Sequence, residues 1–213
     1  MVSGMGTEDG ERVGLRERKK QETRAALSWA AIRLAVERGL DNVRVEDIAA
    51  EVGVSPRTFN NYFSSKSEAI AARHLDRARR IAVELRAQPT SKPLWEAITD
   101  AALAQLALGQ ESDGEHAPGE QWIAGVRLMV TDPALQGEFF KANAAAEAEF
   151  AAAIAERTGT DVTRDLYPRL VAGAVGTAVT VVTEQWLRAD PPVPIAALLR
   201  DALRQLAAGL PVP

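Results

Sequence analysis

Side chains able to do covalent or metal chemistry are sparse in this sequence, whereas those able to grip a phosphate backbone gather toward its amino terminus. There is no cysteine, so disulfides and thiolate metal sites are excluded, and this composition fits a reducing cytoplasm. Two histidines occur, His74 and His116, and they lie too far apart to suggest a structural zinc site. There is no Ser-His-acid order, no Gly-rich phosphate loop and no His-Glu metal motif. Glu147 and Glu149 cannot share one face of a helix. The expectation is therefore a protein without cofactor, metal or enzymatic activity. The basic residues say more. From Arg12 to Ala87 the formal charge is +6, from Gln88 onward it is −7, and the first eleven residues add −3, within a total of −4. A basic first third on an acidic remainder points to a polyanion met by the first third alone.

Helices must position these residues. Apolar residues recur with a period near 3.6 and no stretch alternates with period two, which predicts an all-α protein. Hydrophobic residues make up 46% and charged residues 25% of the 213, ordinary values for a well-packed soluble chain. No apolar run goes uninterrupted for a membrane-spanning length, and the Gly-rich, acidic residues 1–11 read as disordered, not as a targeting peptide. A first helix is expected from about Leu15 to Arg38, with Ala26, Leu27, Ala30, Ala31, Leu34 and Ala35 on one stripe and Trp29, Ile32 and Val36 on a second. Gly39 caps it. A short helix over Val45–Val52 leads to a turn at Gly53-Val54. Ser55 then caps a second short helix, with Pro56 at its first position, ending near Tyr62-Phe63. Ser64 or Ser65, with Glu68, starts a longer helix over Lys66–Arg86. Further helices are expected near 94–108, 120–130, 133–157, 161–187 and 194–208, about nine in all. Gly109–Gly119 reads as a mobile loop, and Pro191, Pro192 and Pro194 as a stiff link. The resulting division is 1–11 tail, 12–65 head, 66–88 connecting helix and 89–213 body, with Gln88–Pro93 as the break.

The two short helices carry Ile48, Ala49 and Val52 on one inner face, and Val54 and Phe59 on the other. Ala49 is small where the helices cross, and Gly53 accepts the positive φ of the turn. This is a helix-turn-helix, whose second helix enters the major groove with its amino-terminal residues toward base edges. The segment from Asp47 to Lys66, DIAAEVGVSPRTFNNYFSSK, closely resembles the signature of the TetR family of transcription regulators. The resemblance implies a ligand-responsive repressor that binds a palindromic DNA operator as a homodimer. It places Ser55, Arg57 and Thr58 at the start of the recognition helix, Arg57 forking onto guanine while the hydroxyls take phosphate or base. It further implies phosphate contacts from Tyr62 and Lys66, and a backbone or minor-groove approach by Arg16, Lys19 and Lys20. Two positions depart from the family. Arg44 stands where a Thr usually caps the second helix; it cannot cap but can bind phosphate. Asn60 stands where Tyr is common, and Asn60 or Asn61 offers a bidentate contact to adenine.

Bodies of this family bury a small-molecule cavity and dimerise through their last two long helices. The run from Val171 to Val182 is almost entirely small or apolar, so it must be covered on most sides. The implied dimer residues are Val171, Gly173, Val175, Gly176, Val179, Leu199, Leu203 and Leu206. Candidate pocket residues are Trp95, Leu103, Leu106, Trp122, Val126, Phe139, Phe140, Asn143, Tyr167, Val182 and Trp186, most of which serve equally well as core. Arg127, a lone cation between apolar neighbours, is an exposed residue, an ion-pair partner or an anchor for an anionic ligand. The stretch from Arg127 to Phe139, with the form of the recognition helix, is similar to a subgroup that includes the mycofactocin-associated regulator and acyl-CoA-responsive repressors. That similarity implies a fatty acyl or acyl-CoA effector, and a flat aromatic ligand of the multidrug type stays open. Two other classes stay open at this point: a helical ligand-binding dimer without operator binding, and a helical enzyme.

Overall fold

A computed structural model describes the backbone of residues 5–111, 119–190 and 193–212, and the side chains of these residues outside 5–14, 107–111 and 119–122. Among the described residues there are nine α-helices and no strand. They are α1 (Met5–Arg38), α2 (Val45–Val52), α3 (Pro56–Asn60), α4 (Lys66–Ala87), α5 (Leu94–Glu111), α6 (Gly119–Thr131), α7 (Pro133–Thr158), α8 (Leu166–Arg188) and α9 (Ile195–Ala207). A single 3₁₀ turn, Leu40–Asn42, follows α1. The all-α expectation therefore holds. Differences fall at element ends: α1 begins at Met5 instead of near Leu15, so 5–11 are helical, and α5 continues through Gly109 to Glu111. The rest of the expected 109–119 loop, with His116, lies outside the described residues, as do residues 1–4 and Pro191-Pro192.

The chain forms two compact units, 1–73 and 74–213. Their division falls inside α4, not at Gln88–Pro93. The proline-bearing stretch is no flexible joint, because Arg157 near the end of α7 holds its main chain. One guanidinium donates to the carbonyls of Gln88 (3.0 Å), Pro89 (2.5 Å) and Lys92 (2.7 Å). Three loop carbonyls are thus gathered by one fork of fixed geometry. Arg79 and Arg86, two turns apart on α4, pair with Glu149 and Glu156 at the same spacing on α7. The second half of α4 is thereby part of the carboxy-terminal unit.

In the first unit, Leu27, Ala31, Leu34, Ile48, Ala49, Phe59, Phe63, Ala69 and Ile70 are almost wholly buried. Small residues on α1 let α2 approach closely, and the buried Ser28 hydroxyl donates to the Ala69 carbonyl of α4 at 2.5 Å. Trp29, expected as a second apolar stripe, is half-buried beneath the guanidinium of Arg73, 3.5 Å from its ring centroid. In the second unit α8 lies between α7 and α9, and α9 also packs on α5. Ile98, Ala101, Leu135, Ala153, Ile154 and Leu203 form its buried centre.

Candidate nucleic-acid interface

The turn between α2 and α3 is built by the residues the sequence singles out for it. Gly53 has φ 73° and ψ 31°, and the Val54 N–H donates back to the Ala49 carbonyl at 2.9 Å, which closes the end of α2. A Cβ at Gly53 would meet nothing within 4 Å, so the left-handed backbone alone demands glycine. Gly53→Ala is accordingly expected to cost about 1–2 kcal/mol and Gly53→Asn less, since Asn tolerates this conformation. Urea unfolding monitored by circular dichroism checks the order; equal stability of all three proteins contradicts it.

Ser55 caps α3, its Oγ accepting the Thr58 N–H at 3.1 Å, and Pro56 fills the first helical position. The same Oγ lies 2.9 Å from Thr58 Oγ1. The two hydroxyls expected at phosphate or base thus already partner each other and fix the start of the helix. Arg57, Asn60 and Asn61 are exposed, and Tyr62 is half-buried beside them in sequence. Phe59 is fully buried on the opposite side, 5.7 Å from the ring of Phe63. One short helix therefore turns an aromatic anchor inward and a fork with two amides outward. Such a set has the donors and acceptors that matching to base edges in a major groove requires.

Arg44 precedes α2 and is exposed; its own N–H donates to Asp47 Oδ2 at 2.9 Å. Asp47 thus supplies half of a capping box, and the guanidinium, having no acceptor, caps nothing. Arg16, Lys19 and Lys20 are exposed on α1. Lys66 departs from its expected place. Its ammonium turns inward and donates to the carbonyls of Leu40 (2.6 Å) and Val43 (2.9 Å). Two of its three N–H groups therefore hold the connection from α1 to α2 against the start of α4. Ser65 caps α4 by accepting the Glu68 N–H at 3.0 Å, and Glu68 accepts the Ser64 N–H at 2.7 Å.

The candidate pocket residues differ in burial. Leu106, Val126 and Val182 are buried, whereas Trp95, Leu103, Phe139, Asn143 and Trp186 are half-buried. Phe140, Tyr167 and Arg127 are exposed, and the side chain of Trp122 lies outside the described residues. Phe139 and Asn143 do meet, at a residue the sequence reading set aside. The ring of His74 lies 4.7 Å from that of Phe139, and His74 is hydrogen-bonded to Asn143. Burial, and next the charge of Arg77, lower the His74 pKa to about 4 against the Asn143 bond, so the imidazole is neutral at neutral pH. A groove of about 610 Å³ between the end of α8 and the start of α9 runs past Val181, Arg188, Val193 and Leu198 and includes none of the candidate set.

The dimer candidates separate by burial. Val171, Val175, Leu199 and Leu203 are 1–7% exposed, so they face the protomer's own core. Gly176 lies toward α7, since a Cβ there would lie 3.1 Å from Glu147 Oε1. Val179 and Leu206 are half-buried. Gly173 has open space beside it and shares a face with Leu166, Leu170 and Val181, which are 71%, 65% and 56% exposed. The signal for this face was present as 4-3-4-4 spacing, from 166 through 170, 173 and 177 to 181. Because α8 is apolar all round, however, nothing in the pattern said which side meets the core. By length and composition alone α8 is also apolar enough to cross a membrane.

Residues 29–72 match the family model described as bacterial regulatory proteins, tetR family, and residues 92–211 match that described as MftR C-terminal domain. The HTH-type transcriptional regulator TcmR of Streptomyces glaucescens is 34% identical over 182 residues, covering 83% of this chain and 79% of that protein. Among solved structures, FadR of Thermus thermophilus, described as a transcriptional repressor in complex with lauroyl-CoA, aligns with a TM-score of 0.55 and 18% identity over 89% of this chain and 96% of its own. SmeT, the repressor of the Stenotrophomonas maltophilia multidrug efflux pump SmeDEF, aligns at 0.56 with 19% identity, over 89% and 93%. These two likenesses concern the fold. The match over both units and the identity to TcmR decide the rest: this chain belongs to the TetR family of DNA-binding, ligand-responsive transcription regulators.

Proposed function

We propose that the chain is a homodimeric repressor that leaves a palindromic operator when its body takes up a small amphiphilic effector of the acyl type. The observation that carries the operator reading is the outward face of α3, where Arg57, Asn60 and Asn61 stand exposed on a helix fixed by the Ser55 cap and the Phe59 anchor. Arg16, Lys19, Lys20 and Arg44 supply further exposed cations for the phosphate backbone. With two of its N–H groups committed, Lys66 keeps one donor for a phosphate and acts chiefly by positioning α2. The test is a gel shift on the DNA flanking the chain's own gene. Arg57→Ala and Asn61→Ala are each expected to cost about 1–3 kcal/mol of operator affinity and to relax base preference at one position per half-site. Unchanged affinity in the double variant refutes the assignment.

The exposed stripe of α8 supports the dimer, with Leu166, Leu170, Gly173 and Val181 in place of the buried valines as its contacts. Three large apolar side chains in line on one helix face are more than a monomer normally leaves in water. Two copies related by a two-fold axis would bury them against each other and set the distance between the two recognition helices. The acyl reading rests on the resemblance of the Arg127–Phe139 stretch to acyl-CoA-responsive repressors and on the lauroyl-CoA held by a protein of the same fold. An effector releases DNA only as far as it binds the non-binding state more tightly. α4 is the carrier of that preference, because it runs unbroken from the capped Lys66 end to the part tied to α7.

A further inference from the structure

Opposite charges stand unpaired along one edge of the exposed face of α8. On α7, Glu138 pairs with Lys141, Glu149 with Arg79 and Glu156 with Arg86, while Arg157 donates to the loop carbonyls. On α8, Arg188 pairs with Glu184. That leaves Glu147 and Arg169, both exposed, as the charged side chains of these two helices with no hydrogen bond or ion pair among the described residues. Arg169, Gly173, Gly176 and Thr180 follow each other at spacings of four, three and four, which is one stripe of a helix. This stripe borders the apolar one and shares Gly173 with it. Glu147 lies against the same border, its Oε1 3.1 Å from where a Cβ of Gly176 would stand. The two charges therefore sit on the α7 edge of the exposed face, about 10 Å apart along it.

A surface that binds its own copy across a two-fold axis must complement itself, residue i meeting j while j meets i. Turned end for end about residues 173–174, the exposed face of α8 meets that condition. Leu166 comes opposite Val181, and Leu170 opposite Thr177. Gly173, where an added Cβ would meet nothing within 4 Å, falls at the crossing and lets the helices approach. Such a rotation lays the α7 edge of one copy along the α7 edge of the other. Arg169 then comes opposite the 176–180 stretch of the second copy, where its carboxylate of opposite sign lies. We propose that two copies pair with α8 antiparallel about residues 173–174, and that Arg169 of each protomer forms an ion pair with the partner's Glu147. The pairing rests on the reading that the chain is a homodimer, and it names the contact that fixes the register of the two copies. Charges at the margin of an interface contribute more to alignment than to affinity, because a like charge brought opposite is costly. Sliding α8 by one turn would separate both pairs and set Leu166 beyond Val181.

The experiment measures the dimer dissociation constant of the full chain by sedimentation across a dilution series. The proteins compared are the native chain, Glu147→Arg, Arg169→Glu and the two reversals combined. Both positions are exposed, so the variants keep the fold, which circular dichroism checks. Each single reversal sets like charges opposite one another twice per dimer and is expected to raise the constant at least tenfold at low salt. The combined reversal recreates both pairs with the signs exchanged and should return the constant to within threefold of the native value. Rescue of one reversal by the other is a result that a structural role for either residue alone does not produce. Single reversals that change the constant less than threefold overturn the pairing and leave the dimer standing. So does a combined variant no tighter than the single ones. A native chain that sediments as a monomer at micromolar concentration overturns the dimer reading, and the pairing with it.

Discussion

Phe59→Ala is expected to abolish operator binding while leaving the carboxy-terminal unit folded. Phe59 is fully buried, it stacks obliquely on Phe63 at 5.7 Å, and it is the inner face of a helix only five residues long. So short a helix has no stability of its own and exists because this ring docks it. Removing a buried Phe side chain costs about 3–5 kcal/mol, comparable to the whole stability of a small unit. The 74–213 unit keeps its own core, so α4 to α9 should stay folded. The expected result is a new low-temperature unfolding phase, with operator affinity down a hundredfold or more and an unchanged gel-filtration volume. Phe59→Leu, which keeps most of the volume, should lose about 1 kcal/mol and retain binding. An alanine variant that binds the operator normally contradicts the docking role.

The second large effect separates the two faces of α8. Leu170→Glu combined with Val181→Glu is expected to give a folded monomer, because both positions are more than half exposed in the protomer. Four carboxylates brought together across a two-fold axis would each lose solvation with no cation to pair with. Operator affinity should fall at least a hundredfold, since one half-site is then held without the other. Val175→Glu, five residues along the same helix but 7% exposed, should instead unfold the body. Light scattering and thermal denaturation distinguish the two outcomes. A double variant that stays dimeric places the interface elsewhere.

Which parts of this were legible beforehand follows from how local each cause is. The head was nearly complete in the sequence because its determinants act within a few residues: Gly53 at a positive φ, Ser55 three residues before its amide, Glu68 three after Ser65. The inward hydrogen bonds of Lys66 were not legible because its partners, the Leu40 and Val43 carbonyls, are more than twenty residues away and leave no trace in spacing. The charge split was real but only half understood. From Arg12 to Arg73 the chain has 12 Lys+Arg against 8 Asp+Glu, a net of +4, so a third of the +6 excess sits on the second half of α4. There Arg79 and Arg86 meet acids of α7 and Arg80 meets Gln105, none of which concerns DNA. The burial of the body's candidates was not legible for the same reason. An aromatic at helical spacing does not reveal which face is covered, as exposed Phe140 next to half-buried Phe139 shows. One feature of α4 was legible and went unused: His74 and Arg77 interrupt a stripe that otherwise carries Ile70, Ile81 and Leu85.

The claim on which everything depends is that the exposed face of α3 reads a specific DNA sequence as part of a dimer. Fluorescence anisotropy of the full chain on DNA flanking its own gene, against a scrambled duplex of equal composition across a salt series, tests it most directly. The account predicts submicromolar binding of two protomers per site and preference over the scrambled duplex of roughly a thousandfold or more. It also predicts that affinity falls steeply and linearly in log–log form as salt rises. Equal affinity for the two duplexes, or binding indifferent to salt, would contradict it.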